Sequence, residues 1–209
     1  MLNADALKIA LDVIEILKPG CIRIEVKGSI CRASPNVNDI EILAIPDLTP
    51  LPLPRAEIGK PMPIIHKTKV DEIVYCMKKK SEGGNEPWTL EKSGDKYKRF
   101  YVRDHKISVD LFLVTPPAQW GVQSVIRTGP SDFSHWMVTR ESQGGALPDA
   151  YIVEGGCVGQ RVVGSKGGFA RMGEFSMPEE VDFFKLCGME WIEPRRRMAE
   201  WSNHAKVDG

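Results

Sequence analysis

Apolar residues at three- and four-residue steps (Ala6, Ile9, Ala10, Val13, Ile14, Leu17) predict an amphipathic helix over residues 4–17. Asp5 suits its first turn and Pro19-Gly20 ends it. Strict alternation follows: Ile22, Ile24 and Val26 against Arg23, Glu25 and Lys27 predict a half-buried strand, closed by a Gly28-Ser29 turn. Beyond a polar loop over 31–38, Asp39 to Ile45 reads as a second strand. Side chains in a strand alternate faces, so Asp39 and Glu41 share one face while Ile40 and Ile42 point into a core.

Pro46 to Pro63 carries six prolines and predicts an extended surface excursion. A helix is expected over 69–80, with Val70, Ile73, Val74 and Met77 on one face and Gly83-Gly84-Asn85 as its break. Two strands, 98–102 and 107–114, are joined by a tight turn at Arg103-Asp104-His105-Lys106. In the second, Ser108, Asp110 and Phe112 share one face, and Val109, Leu111 and Leu113 the other. Pro116-Pro117 opens a short helix to Ile126, and Thr128-Gly129-Pro130-Ser131 turns into another over 132–141. Dense glycines from Gly144 to Gly173, with apolar runs at 150–153 and 158–163, predict a small irregular β region. Ser176 is the expected cap of a last helix over 179–187, followed by a frayed basic tail at Arg195-Arg196-Arg197.

Composition narrows the class. Of 209 residues, 42% are apolar and 27% charged, the balance of an ordinary soluble globular chain. The run Val109 to Val114 is too short to span a bilayer, so no membrane partner is expected. Residues 1–5 lack a basic-then-apolar leader, which predicts no secretion. Five scattered cysteines without a Cys-x-x-Cys pair argue against zinc or a disulfide framework. They suit the cytoplasm, or the host-cell cytoplasm for a viral gene. A net charge of zero argues against a protein that coats DNA by electrostatics alone. Local basic grooves at Lys78-Lys79-Lys80, Lys96 to Arg103 or the Arg195 run remain compatible with it. The dispersed His66, His105, His135 and His204 give no metal spacing, and Gly164 to Gly168 fits a hairpin tip rather than a phosphate loop. Trp88, Trp120, Trp136, Trp191 and Trp201 read as packing residues.

The candidate chemistry is acidic. Two carboxylates side by side are costly unless a cation sits between them. Asp110, set between Val109 and Leu111, offers a third. If the two strands are neighbours, Asp39, Glu41 and Asp110 converge on one sheet face. Two magnesium ions roughly 3.5–4 Å apart would then clamp an in-line phosphoryl displacement. Oxygen-only ligands suit magnesium.

The order Gly28-Ser29, Asp39-Ile40-Glu41, then Asp110, resembles the nucleotidyltransferase superfamily that includes DNA polymerase beta. Val109 to Gly121 followed by Arg127-Thr128-Gly129-Pro130-Ser131-Asp132-Phe133 resembles the third-acid strand and Thr-Gly turn of its family X, the polymerase-beta-like enzymes. Glu180 to Phe184 through Trp191-Ile192-Glu193-Pro194-Arg195-Arg196-Arg197 is similar to that family's closing helix and tail. The resemblance covers roughly Ile22 to Arg197 and implies an α+β fold in minimal form. A mixed-sheet palm with helices on one side would occupy residues 1–127, and a small α/β thumb-like subdomain 128–209. It implies Asp39, Glu41 and Asp110 as catalytic ligands of two Mg2+ ions, with Mn2+ as a substitute. It implies a nucleotide site from Gly28, Ser29, Arg32, Asn38, Arg127, Thr128, Gly129 and Ser134. Ser29 and Arg32 would meet the outer phosphates, Arg127 to Gly129 the sugar, and Ser134 the base. Implied partners are a dNTP or NTP and a primer–template nucleic acid, with the protein a monomer. The implied reaction is templated addition to a primer 3′-hydroxyl with pyrophosphate release, as in gap repair.

Five positions depart from the family's pattern. Glu41 replaces an aspartate, and Ser108 an arginine beside the third acid. Ile126-Arg127 replaces an aromatic pair at the sugar gate, and Val138 replaces an arginine. These departures leave two alternatives: a template-independent transferase using NTPs on RNA or a small acceptor, and an inactive binding protein that keeps the fold.

Overall fold

A computed structural model describes residues 1–51, 67–82, 87–115, 119–164 and 168–198. Most of the proline-rich stretch, the Pro116-Pro117 opener, the 165–167 hairpin tip and everything past 198 lie outside these residues. So do His66, Trp201 and His204.

The N-terminal half builds one mixed sheet. Helix α1 (Asn3–Leu17) leads through a tight turn into β1 (Cys21–Lys27), then the four-residue α2 (Gly28–Cys31) and β2 (Asp39–Pro46). After α3 (Lys69–Glu82) come β3 (Trp88–Ser93), β4 (Tyr97–Val102) and β5 (Ile107–Leu113). The order across the sheet is β1-β2-β5-β4-β3. β2 and β5 run parallel and the other pairs are antiparallel. Strand β3 has no counterpart among the sequence expectations, which pass from the Gly83 break to Lys98. It is an edge strand with a register shift between Leu90 and Lys92, so its alternation is interrupted after Trp88 and Leu90.

One sheet face is apolar. Ile40, Ile42 and Ala44 of β2, Phe100 and Val102 of β4, and Val109, Leu111 and Leu113 of β5 pack with Ala6, Ile9, Ala10 and Val13 of α1 and Val70, Val74 and Met77 of α3. Two devices fix α3. Thr68 and Asp71 bond reciprocally across its first turn, a cap worth about 1 kcal/mol. Lys98, 1% exposed on the apolar face of β4, reaches the other Asp71 oxygen at 2.6 Å.

The second half wraps a separate core. Helices α4 (Trp120–Thr128) and α5 (Ser131–Val138) precede a three-stranded antiparallel sheet, and α6 (Glu180–Leu186) follows it. The strands are β6 (Tyr151–Glu154), β7 (Cys157–Val163) and β8 (Phe169–Met172). Glycine density predicted irregular structure here, but the strands pair in regular register, with the glycines concentrated at turns. Val122, Val125, Phe133, Met137, Val158, Phe183 and Phe184 form this core.

Two terminal details differ from expectation. The last helix is capped by Glu179, whose backbone N–H donates to Asp182 at 2.9 Å, and not by Ser176. The basic tail is anchored at Arg197, which is 0% exposed and donates to Glu180 at 2.8 Å and to the Ile192 carbonyl at 3.1 Å. These two bonds, made by a buried guanidinium, hold a segment whose composition alone suggested fraying.

The expected α+β class with a mixed sheet is present, and helices α1 and α3 do cover one face. The opposite face is partly covered too. At its far end Leu43, Ile45, Phe112 and Val114 pack on the buried Trp120 of α4. Among the described residues, no helix is long and apolar enough to cross a membrane.

Candidate active site

Helix α4 packs on the far end of that second face, and the acids lie at the other end, beside α2 and the end of α4. Glu41 on β2 lies directly opposite Asp110 on β5, and Asp39 is two positions earlier, opposite Ser108. Paired strands run about 4.8 Å apart, so Asp39, Glu41 and Asp110 form one acidic cluster on adjacent strands. Asp39 is exposed, Glu41 half-buried and Asp110 buried.

Each acid has a different environment. Burial, then the charge of Asp39, pushes the Glu41 carboxyl from an ordinary 4.5 to about 7; Arg127 and Arg32 oppose this. The side chain lies against Gly28, where a Cβ would stand 2.1 Å from Glu41 Oε2. Gly28 also has φ +69°, so both the conformation and the close approach require glycine. The extra methylene of Glu41 is accommodated by this absence of a side chain.

Asp110 is held from the next strand. Arg99 on β4 faces it in register and grips it with two 2.6 Å hydrogen bonds, from Nε to Oδ1 and from Nη2 to Oδ2. The Tyr97 hydroxyl donates to Oδ1 at 2.7 Å. Burial opposes ionisation of Asp110, yet the bonds from Arg99 and Tyr97 outweigh it and hold the carboxyl below its ordinary value. An ionised carboxylate offers about four lone-pair sites, and these three bonds leave one for a further ligand. Arg99 therefore supplies a guanidinium beside the third acid, although Ser108 occupies the position where the resemblance places it.

The predicted nucleotide residues divide. Arg32, at the end of α2, donates Nη1 to the Thr128 carbonyl and lies against Gly129, where a Cβ would stand 2.9 Å from that nitrogen. This contact joins Gly28, Ser29 and Arg32 to Arg127, Thr128 and Gly129 across 96 positions of chain. Arg127 projects back over Phe112, 3.8 Å from the ring centroid, and its Nε is covered without a hydrogen bond. Burial lowers its pKa while Glu41 and Asp110 raise it, so its charge lies within the field of the acids. Asn38 is exposed beside Asp39 and faces a cavity of about 420 Å³ with Asp5, His105 and Lys106. Ser134 has a packing position instead of a base-contacting one. It is 6% exposed, and its hydroxyl is directed to the Val125 and Ile126 carbonyls at 3.0 and 3.1 Å.

A cavity of about 470 Å³ opens from Asp110 between the sheet and α4, lined by Lys96, Tyr97, Arg99, Phe112, Arg127 and Gly155. Lys96 and Arg127 leave this cavity with positive charge beyond the Arg99–Asp110 pair. As placed, no three His, Cys, Asp or Glu side chains among the described residues form a ready metal cage. The donor set nonetheless fits a hard divalent cation: the ligands are all carboxylates, and two of them raise the pKa of Glu41 by crowding it. No protein-family model matches this chain, and no curated protein matches it.

The raised Glu41 pKa has a measurable consequence without metal. The folded carboxyl holds its proton more tightly than the unfolded one, so its stabilising effect is complete below about pH 4.5 and lost as pH rises to about 7. Across that window wild-type protein in EDTA should lose roughly 2–3 kcal/mol more than Glu41→Gln, read as urea midpoints. Parallel slopes for the two proteins would contradict the assigned environment.

Proposed function

We propose that the chain is a metal-dependent nucleotidyltransferase, a minimal polymerase of the family X type that adds dNTPs to a primer 3′-hydroxyl on a template. The observation that carries this reading is the placement of Asp39, Glu41 and Asp110 on one face of the adjacent strands β2 and β5. Beside them, Arg32 joins the Gly28-Ser29 segment to the Thr128-Gly129 turn.

The reaction joins the primer 3′-oxygen to the α-phosphorus of the nucleotide and breaks the bond to the β-phosphate bridge, releasing pyrophosphate. Asp39, Glu41 and Asp110 would hold two magnesium ions, or manganese in their place, which would supply Lewis-acid charge to that displacement. The chain's own residues orient and neutralise. Arg99 and Tyr97 hold Asp110 ionised and in one orientation. Gly28 lets backbone approach the phosphates, and Ser29 and Arg32 offer donors to them. Arg127 and Lys96 place positive charge along the cavity leading from Asp110.

Tyr97, Arg99 and Tyr101 alternate with the buried Lys98, Phe100 and Val102, which puts an aromatic and basic row beside the acids. That row suits a nucleic-acid acceptor better than a small one, and favours templated synthesis over the alternatives. Incorporation on gapped, recessed and single-stranded labelled primers, with dNTP and NTP in parallel and Mg2+ present, tests this. The expected result is extension dictated by the template base, strongest with dNTP. Template-free extension with NTPs would support the RNA or small-acceptor transferase, and inactivity on every substrate the binding-protein alternative.

A further inference from the structure

Sheet β6-β7-β8 packs one face, through Tyr151, Val153 and Val158, on the second core. On the other face the β7–β8 pairing sets Arg161 opposite Arg171 and Val163 opposite Phe169. The Arg161 guanidinium lies 3.9 Å from the Phe169 ring centroid, and Arg140, just past α5, reaches within 5.9 Å. Phe169 is 55% exposed and Val163 75% exposed. Arg161 makes no ion pair among the described residues, and its Nη1 is covered without a hydrogen-bond partner. Arg171 pairs with Glu174 at 3.0 Å, and Arg140 acts on Asp149. Arg161, without an acidic partner among the described residues, therefore lies against an open aromatic ring, with Arg140 close by.

We propose that this face binds single-stranded DNA, with a base stacked on Phe169 and phosphates drawn to Arg161 and Arg140. Aromatic rings beside arginines are the usual platform for an unpaired strand, because every base has a π-face and every linkage a negative charge. The charge complementarity selects this occupant over two others. A second copy docked face to face would oppose Arg161 and Arg171 to themselves. A lipid surface would find few exposed apolar side chains beyond Phe169 and Val163 on this face. The position fits a template overhang: α5 starts beside the Thr128-Gly129 turn, and its eight residues carry the chain about 12 Å to the Arg140 end. The choice of a template strand rests on the templated reading of the acidic site; the platform itself does not.

The test is fluorescence anisotropy of a short labelled oligothymidylate in EDTA, which removes catalysis. Wild type should bind, with affinity falling as salt rises. Phe169→Ala and Arg161→Ala should each weaken binding about tenfold or more, and Phe169→Trp should retain it. Phe169 is exposed, so unchanged thermal melts are expected and separate lost binding from lost folding. Equal affinity of wild type and Phe169→Ala overturns the proposal. An oligouridylate bound as tightly with the same Phe169 dependence overturns its assignment to DNA. Self-association of the chain that Phe169→Ala abolishes overturns the choice of occupant. Primer extension by wild type with no Phe169-dependent binding defeats this inference alone, whereas Phe169-dependent binding without any incorporation defeats the catalytic reading and leaves the platform standing.

Discussion

Asp110→Asn should reduce nucleotide incorporation by about a thousandfold or more while leaving the protein folded. The substitution keeps size and shape but removes the charge that Arg99 and Tyr97 hold against the opposing effect of burial. Losing a carboxylate ligand at a two-ion site forfeits several kcal/mol of charge stabilisation in the displacement step, and each 1.36 kcal/mol is roughly a factor of ten. Stability should fall far less. The Arg99 side chain is 31% exposed and can return to water, so losing its ionised partner costs on the order of 1 kcal/mol. Single-turnover incorporation on a gapped duplex, beside a urea titration, separates the two effects. Near-wild-type turnover by Asp110→Asn would remove Asp110 from the site. A large loss of stability would recast Asp110 and Arg99 as a structural pair.

The two acids on β2 are legible from alternation alone, because Ile40 and Ile42 need the core and a strand then has one place for Asp39 and Glu41. Asp110 is legible the same way, between Val109 and Leu111. What joins the strands is not. The parallel β2–β5 pairing is a long-range choice, made by the apolar face shared with α1 and α3. The part of Arg99 could have been found in advance. The Arg103 to Lys106 turn pairs Val102 with Ile107, and counting three residues back and three forward sets Arg99 opposite Asp110. Lys98 shows why the basic run is hard to read: Lys96 is exposed and Arg99 turns to Asp110, while Lys98 is sealed against Asp71. Ser134 misled for a related reason. Helical spacing sets its face, but the closeness of α4, which offers the Val125 and Ile126 carbonyls, is a tertiary fact.

The departures at Glu41 and Ser108 have a common physical form. In each, a group absent at one position is matched by a neighbour in space. Gly28 lacks the side chain that would collide with the longer Glu41, and Arg99 brings a guanidinium from the adjacent strand to the acid that Ser108 leaves without one. Reading either position by itself underestimates the site.

Arg197→Ala should be the most destabilising single change outside the apolar cores, by about 3 kcal/mol. Arg197 is wholly buried, donates to Glu180 and Ile192, and lies over the rings of Phe133 and Phe184 at 5.4 and 5.5 Å. Truncating one member of a buried ion pair leaves the other charged and dry, which costs about 3–5 kcal/mol. The low end applies, because the Glu180 side chain keeps 15% exposure and still accepts from Trp191 Nε1 at 2.8 Å. Replacing the pair together, as Arg197→Met with Glu180→Leu, should recover most of the loss, since well-packed apolar groups serve such a position as well as ions do. Urea midpoints of the single and double variants measure both. If Arg197→Ala unfolds at the wild-type midpoint, the tail contributes nothing to the second core. The expected loss also bears on the site: α6 carries Glu180 and packs on α4, and α4 ends in Arg127 and Thr128. A loosened tail should therefore weaken the Arg32 contact to Thr128 and lower incorporation, in the variant that touches neither acid nor substrate.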